Sequence, residues 1–269
     1  MKKLVFGIFC YLFLASLCAC GDGKSESLTK ESRDTVAMTT IMISDSLCFD
    51  LNDNVKKVVW ADAHITYPIL FMDRENTDGL QHLFSNEVLY VNSDTLSLAS
   101  AFPFYLLQLM TDVADSGFDV NQVGENTVDS ECKVKVKIHP IYNDGLYLSY
   151  CKEQELISSD TKSSLKEYFV LGLNDMKKLE LFDIYDLRDL AIVKTMLKDK
   201  LYNIYNVKSD DELSDLGFYK IYDIEVGENF YLTQDSVIWN YNQHELSIFG
   251  DVSVSLSRVD IERKIENTK

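Results

Sequence analysis

Apolar and polar positions change rhythm several times along the chain, and each rhythm predicts an element. An apolar run from Leu4 to Leu17, broken only by Gly7 and Ser16, gives way to a polar stretch, 21–35, whose one large apolar residue is Leu28. Two runs rich in β-branched residues, Val36 to Phe49 and Val55 to Leu70, then flank Asp50-Leu51-Asn52-Asp53-Asn54, which predicts strand, turn, strand. From Asp78 the period lengthens, and Leu80, Leu83, Phe84, Val88 and Val91 fall on one helical stripe. A second helical stretch follows Ser93-Asp94 and ends near Gly117. Pro103 is expected in its first turn or at a kink, because it lacks a backbone donor, and Phe104 to Met110 is expected to be core.

Beyond a polar segment at 118–130, Cys132, Val134, Val136 and Ile138 alternate with Lys133, Lys135, Lys137 and His139. That pattern predicts a half-buried strand whose lysines blunt an edge. Asn143-Asp144-Gly145 predicts a hairpin turn, with the return strand starting at Leu146. Folding about that turn sets Cys151 opposite Lys137 or Ile138. Cys132 then lies about 17–20 Å away at about 3.3 Å per residue, whereas a disulfide needs α-carbons within about 7 Å, so no bond between the two is expected. Further on, Tyr168 to Leu173 reads as a strand that turns through Asn174-Asp175. A helix is expected over about Leu187 to Tyr205, with Leu190, Val193, Leu197, Leu201 and Ile204 at three- and four-residue steps. Three short strands follow, Phe230 to Thr233, Val237 to Tyr241 and Val252 to Leu256. The whole reads as an α+β fold with antiparallel sheets each packed by one or two helices, in two sequential lobes, 36–120 and 131–265.

Charge narrows the possible partners. With 43 Asp+Glu against 26 Lys+Arg in 269 residues, the formal net charge is -17. A polyanion without a compensating basic stripe repels phosphate backbones, so nucleic acid is excluded as a partner, while cationic proteins and neutral glycans fit.

The N-terminus carries an address. Lys2 and Lys3 precede an apolar run shorter than the roughly 20 residues a spanning helix needs, which is the form of an export signal rather than of a transmembrane anchor. Leu17-Cys18-Ala19-Cys20 resembles the bacterial lipobox. The resemblance implies removal of 1–19 as a signal peptide and diacylglyceryl modification of Cys20, with 20–35 as a flexible tether. The two signal-peptide lysines leave with it, so the mature chain would have 250 residues and a charge of -19. Acyl chains on one Cys hold a protein on a bilayer at about 0.8 kcal/mol per buried methylene. The membrane, reached through lipid on Cys20, is therefore an expected partner, and the cell envelope the expected location, at the outer membrane rather than the inner. Of the remaining cysteines, Cys48, Cys132 and Cys151 are expected to be small buried hydrophobes.

The order of elements after Glu167 carries a second resemblance. The segments "YFVLGLNDMKKLELFDIYD", "FYLTQDSVIWNYNQHEL" and "IFGDVSVSLSRVDI" resemble the C-terminal domain of the lysozyme-sensing anti-sigma factor RsiV, a domain also found in bacterial lipoproteins. The earlier "ITYPILF" followed by a helix is similar to that family's usual preceding domain. What the resemblance implies is an envelope protein that binds a macromolecule without enzymatic action, with lysozyme or cell-wall material as partner. Family members commonly carry Gly-Gly-Ala-His after the hairpin, where this chain has Ile157-Ser158-Ser159-Asp160-Thr161-Lys162, so any partner contact made by that segment does not transfer.

Catalytic motifs are missing. The four histidines, His64, His82, His139 and His244, fall in no HExxH, and neither Cys-x-x-Cys nor Gly-x-Ser-x-Gly occurs. His244-Glu245 is the nearest thing to a catalytic pair and reads as capping or packing in a turn. The sequence thus names no catalytic residue, no metal ligand and no cofactor. The competing expectation is a cell-wall glycan hydrolase whose paired carboxylates are far apart in sequence.

Overall fold

The computed structural model describes residues 36–52, 55–70, 77–92, 97–115, 130–158 and 162–268. Residues 1–35, on which the expected signal peptide, Cys20 and tether fall, most of the 118–130 segment and residues 159–161 lie outside them.

The chain opens with a long hairpin. Strands β1 (Ala37–Asn52) and β2 (Val55–Leu70) pair antiparallel from Ala37 opposite Leu70 to Asn52 opposite Val55. Helices α1 (Thr77–Glu87) and α2 (Leu98–Asp115) follow, and then strands β3 (Ser130–Asn143), β4 (Tyr147–Ile157), β5 (Lys162–Gly172) and the two-residue β6 (Lys177–Lys178). These six strands make one sheet in chain order. The sheet is mixed rather than antiparallel, because β2 and β3 run parallel. The two helices between them carry the chain back to the end where β2 began, which a hairpin turn cannot do.

Val59, Ala61, Ala63 and Ile65 of β2, and Cys132, Val134, Val136 and Ile138 of β3, point to one face and are buried there with Leu80, Phe84, Phe102, Leu106 and Met110 from the helices. The predicted α1 stripe is buried throughout, although the helix stops at Glu87. Tyr90 takes a left-handed conformation (φ 56°) and folds Val88, Leu89 and Val91 back onto the core. In α2, Pro103 sits in the second turn, past the first-turn position that is one of its two expected places, and Phe104 and Leu107 face solvent, so the apolar stretch is core on only one side.

The second core is built by helices α3 (Leu181–Ile184), α4 (Leu187–Tyr205), α5 (Asp210–Asp215) and α6 (Arg258–Glu266), and by an antiparallel sheet of β7 (Phe230–Leu232), β8 (Ser236–Tyr241) and β9 (Val252–Ser257). Helix α4 has the predicted bounds. Asp186 caps its first turn by accepting from the backbone N–H groups of Arg188 and Asp189, and Asn206 ends it in the left-handed region. Val193, Leu197 and Leu201 are buried against this core, but Ile204, assigned to the same stripe, is exposed.

The second core lies on the other face of the large sheet, over the ends of β3, β4 and β5 nearest the β3–β4 turn. Val170 of β5 belongs to it, and the buried Ser149 hydroxyl of β4 lies 3.2 Å from both the backbone N and the carbonyl O of Leu232. Two asparagines close the β5 edge. Asn242 accepts from Lys166 N–H (2.8 Å) and donates to Lys166 C=O (3.0 Å), while Asn229 accepts from Tyr168 N–H (2.8 Å). Their side-chain amides take the place of a neighbouring strand. Asn242→Ala should strip the partly buried Lys166 N–H of its partner and lower unfolding free energy by about 1 kcal/mol, read as a lower midpoint in urea at unchanged slope.

Candidate functional site

Strand alternation gives the uncovered half of the sheet a polar surface laid out in cross-strand rows. One row joins Met42, His64, Lys137, Glu153 and Lys166; the next joins Ser44, Asp62, Lys135, Glu155 and Ser164. Because β3 is an inner strand, its lysines blunt no edge, and Lys133 and Lys137 face carboxylates on neighbouring strands rather than forming a basic patch. Lys133 meets Asp62 at 2.6 Å, and Lys137 approaches Glu153 at 3.8 Å. Burial acts to raise the Asp62 carboxyl, but hydrogen bonds from Lys133 and Ser44 outweigh it and hold the group below the usual range. Cys48, expected to be buried, lies exposed on β1 as a free thiol.

The hairpin register differs from the expected one at the point that matters most here. Asp144 Oδ1 accepts from the backbone N–H of both Leu146 and Tyr147, which moves the turn towards β4, and a bulge at Ile141 adds a residue to β3. His139, not Lys137 or Ile138, therefore faces Cys151, and Tyr168 faces Cys151 from the other side. The imidazole of His139, the thiol of Cys151 and the carboxylate of Glu153 bring one donor atom each to within 4.8 Å of one another. His139 Nδ1 is buried without a hydrogen-bond partner, its nearest anionic atom being Glu153 Oε1 at 3.8 Å. Burial, with the Lys137 charge, holds the imidazole below its usual pKa and hence neutral. Burial and the Glu153 charge push the Cys151 thiol up to about 11. Tyr168 hydrogen-bonds to Cys151 and stacks on Tyr231 with ring centroids 4.6 Å apart. Cys132 and Cys151 are both buried and share no disulfide, as the sequence predicts.

A second surface lies at the far end of the second core. Between Ser209 and Glu228 the chain has seven carboxylates and one lysine. Leu216, Tyr222, Ile248 and Phe249 are exposed there, Phe249 to 78%. Phe249 is presented by the β8–β9 loop, which is tied down by Ile248 N–H donating to Gly217 C=O (3.2 Å), Tyr219 N–H donating to Leu246 C=O (3.1 Å) and Phe249 N–H donating to Ser247 Oγ (3.1 Å). Gly217 needs its φ of 82°, and a Cβ there would run into the Phe249 ring. Tyr222 donates to Asp211 and so stands beside α5. His244 and Glu245 belong to the base of the same loop. Glu245 accepts from Asn242 N–H at 2.7 Å, leaving the Asn242 side chain to clip β5, so the pair has a structural role.

Among the described residues, the carboxylates with displaced pKa values are displaced downwards. For Asp210, burial acts to raise the pKa, but hydrogen bonds from Lys198 (2.6 Å) and Tyr202 (2.5 Å) lower it overall. Asp62, Asp144 and Asp183 shift the same way. That is the wrong direction for a glycosidase general acid. It has a stability consequence: a depressed carboxylate contributes above its unfolded pKa, near 3.8, and the contribution is lost as pH falls through the lower folded value. Melting temperature should therefore drop as pH falls below about 4, and Asp210→Asn should shallow that drop. An open cleft of about 500 Å³ between α1 and β6 is lined by His82, Glu87 and Glu180 together with Lys177 and Lys178. Among the described residues, no helix is long and apolar enough to cross a membrane.

No family model matches the chain, and no curated protein does. Solved structures do. One is a crystal structure of a DUF3298 family member from Bacteroides fragilis, 17% identical, with a TM-score of 0.65 over 85% of this chain and 94% of that one. Another is a DUF3298 family protein from Pseudomonas aeruginosa, 11% identical, with a TM-score of 0.49 over 84% and 93% of the two chains. At these identities the likeness to the Bacteroides structure concerns the fold, which the two share across nearly the whole folded body.

Proposed function

We propose that the chain is a lipid-anchored cell-envelope protein whose folded body recognises a cationic protein, of which lysozyme is the type, without acting as an enzyme. The observation that carries this reading is the exposed Phe249, flanked by Ile248 and Leu216 and bordered by the carboxylates of α5. Exposed apolar patches rimmed by polar groups mark interaction sites, and an aromatic anchor on a tied-down loop loses little entropy on binding. The surrounding negative charge selects a basic partner and speeds its arrival. The anchor rests on Cys20, and the resemblance of the segments after Glu167 to the RsiV C-terminal domain supports a binding role at the cell envelope.

Two experiments address the two halves. Wild-type protein should incorporate labelled palmitate and Cys20→Ala should not; equal label in both removes the anchor. Immobilised lysozyme should retain the protein at low salt and release it as salt rises. Retention by cell-wall sacculi but not by lysozyme would move the partner to peptidoglycan, and turnover of glycan by the pure protein would replace the reading with a hydrolase.

A further inference from the structure

The geometry points to a divalent transition-metal site of the zinc kind, formed by His139 Nδ1, the Cys151 sulfur and a Glu153 carboxylate oxygen on the outer face of the large sheet. It is independent of the anchor and of the Phe249 surface.

The backbone already places the ligands. His139 and Cys151 are directly opposed on β3 and β4, and Glu153 follows Cys151 by two residues on the same face. Bonds of about 2.0–2.3 Å in a tetrahedral shell put ligand atoms about 3.3–3.8 Å apart. The three donors are within 4.8 Å of one another, and Nδ1 and Oε1 are already at 3.8 Å, so side-chain rotation closes the site without moving a strand.

The imidazole nitrogen is sheltered and has no hydrogen-bond partner, a costly arrangement that a bound cation would relieve. Tyr168, held by its stack on Tyr231, hydrogen-bonds to the sulfur and would orient it as outer-shell partners do. One sulfur, one nitrogen and one oxygen suit a borderline ion, not calcium or magnesium. Three protein ligands leave a fourth position for water or an incoming group. Lys137, Lys166 and His64 also face the site, and Lys137 would give up its 3.8 Å approach to Glu153. On binding, the sulfur–metal bond replaces the S–H bond and the proton passes to solvent; no electron is transferred.

The test uses the full-length protein in detergent, stripped with chelator and then dialysed against micromolar zinc or cobalt chloride. Wild type should retain one zinc per chain by elemental analysis and show a thiolate-to-metal band with cobalt. Cys151→Ser should lose the band, while His139→Ala and Glu153→Gln should each bind zinc at least 10-fold more weakly. Cys48→Ser and Cys132→Ser should match wild type in the band. Glu153 is partly exposed, so Glu153→Gln remains informative if Cys151→Ser does not fold. A wild type that retains no zinc, or zinc held equally by His139→Ala and Glu153→Gln, overturns the site.

Discussion

Replacing Glu167 with alanine is expected to destabilise the fold by about 3 kcal/mol, more than most single substitutions at partly exposed positions. Lys152 is the cause. Its side chain is 6% exposed on the core side of β4, and its ammonium meets Glu167 at 2.8 Å from the directly opposed position on β5. Tyr90 and Tyr105 complete the enclosure, with ring centroids 4.6 and 5.8 Å from the nitrogen, and Tyr90 donates to Glu167 at 3.3 Å. Removing the carboxylate leaves a buried cation with only aromatic faces for company. Burial, followed by the Glu167 charge, pushes the Tyr90 hydroxyl up to about 12 in the intact cluster, where the phenol serves as a neutral donor to the carboxylate. Glu167 is about one-third exposed, which places the expected loss at the low end of the range for broken buried pairs. The double variant Lys152→Met with Glu167→Gln should recover most of it, because no unpaired charge is then buried. Urea unfolding of the three proteins decides the matter. A Glu167→Ala loss no larger than that of the double variant would mean that water reaches the ammonium.

The second large effect is on binding rather than folding. Phe249→Ser should weaken capture of a cationic protein about 30-fold, corresponding to about 2 kcal/mol for loss of an aromatic anchor, and leave the melting temperature within a degree or two. The ring is 78% exposed and contributes little to either core. Neutralising the neighbouring acidic helix in the variant Asp211→Asn, Asp215→Asn should act differently, slowing association and flattening the salt dependence while changing dissociation less. If Phe249→Ser binds as wild type does, the apolar patch is not the contact surface.

How far the fold could be read in advance depended on whether a local signal outweighed its surroundings. Helix α4 was legible to the residue, because a three-to-four-residue apolar period coincides with an aspartate cap at Asp186 and a left-handed end at Asn206. The β1–β2 hairpin was legible because two runs rich in β-branched residues flank a turn of aspartates and asparagines. Parallel pairing of β2 with β3 was not, since nothing in either strand's alternation encodes the direction of its neighbour. Helix α6 was missed because its first apolar residues are sparse among charges, although Ser257 followed by Asp260 is a capping signal, with Ser257 Oγ accepting from Asp260 N–H. Helix α5 shows a similar signal in Ser209 and Glu212.

The candidate sites failed to show in the sequence for a different reason. An error of one or two residues in hairpin register moves Cys151 from His139 to Ile138 or Lys137 and dissolves the His139–Cys151–Glu153 group, and the register is set by the Asp144 side chain accepting two backbone hydrogens together with the bulge at Ile141. Phe249 could not be distinguished from core by its identity alone; it is exposed because it stands in the β8–β9 loop rather than on a strand of the second sheet.

The central claim is that an acidic body with an exposed aromatic loop captures a basic protein. Its most direct test is the equilibrium affinity of the full-length protein for lysozyme across a salt series, with wild type and Phe249→Ser side by side. The account predicts binding that tightens steeply as salt falls and a Phe249→Ser curve displaced about 30-fold weaker throughout. No binding even at low salt, or binding indifferent to both salt and Phe249, would contradict it.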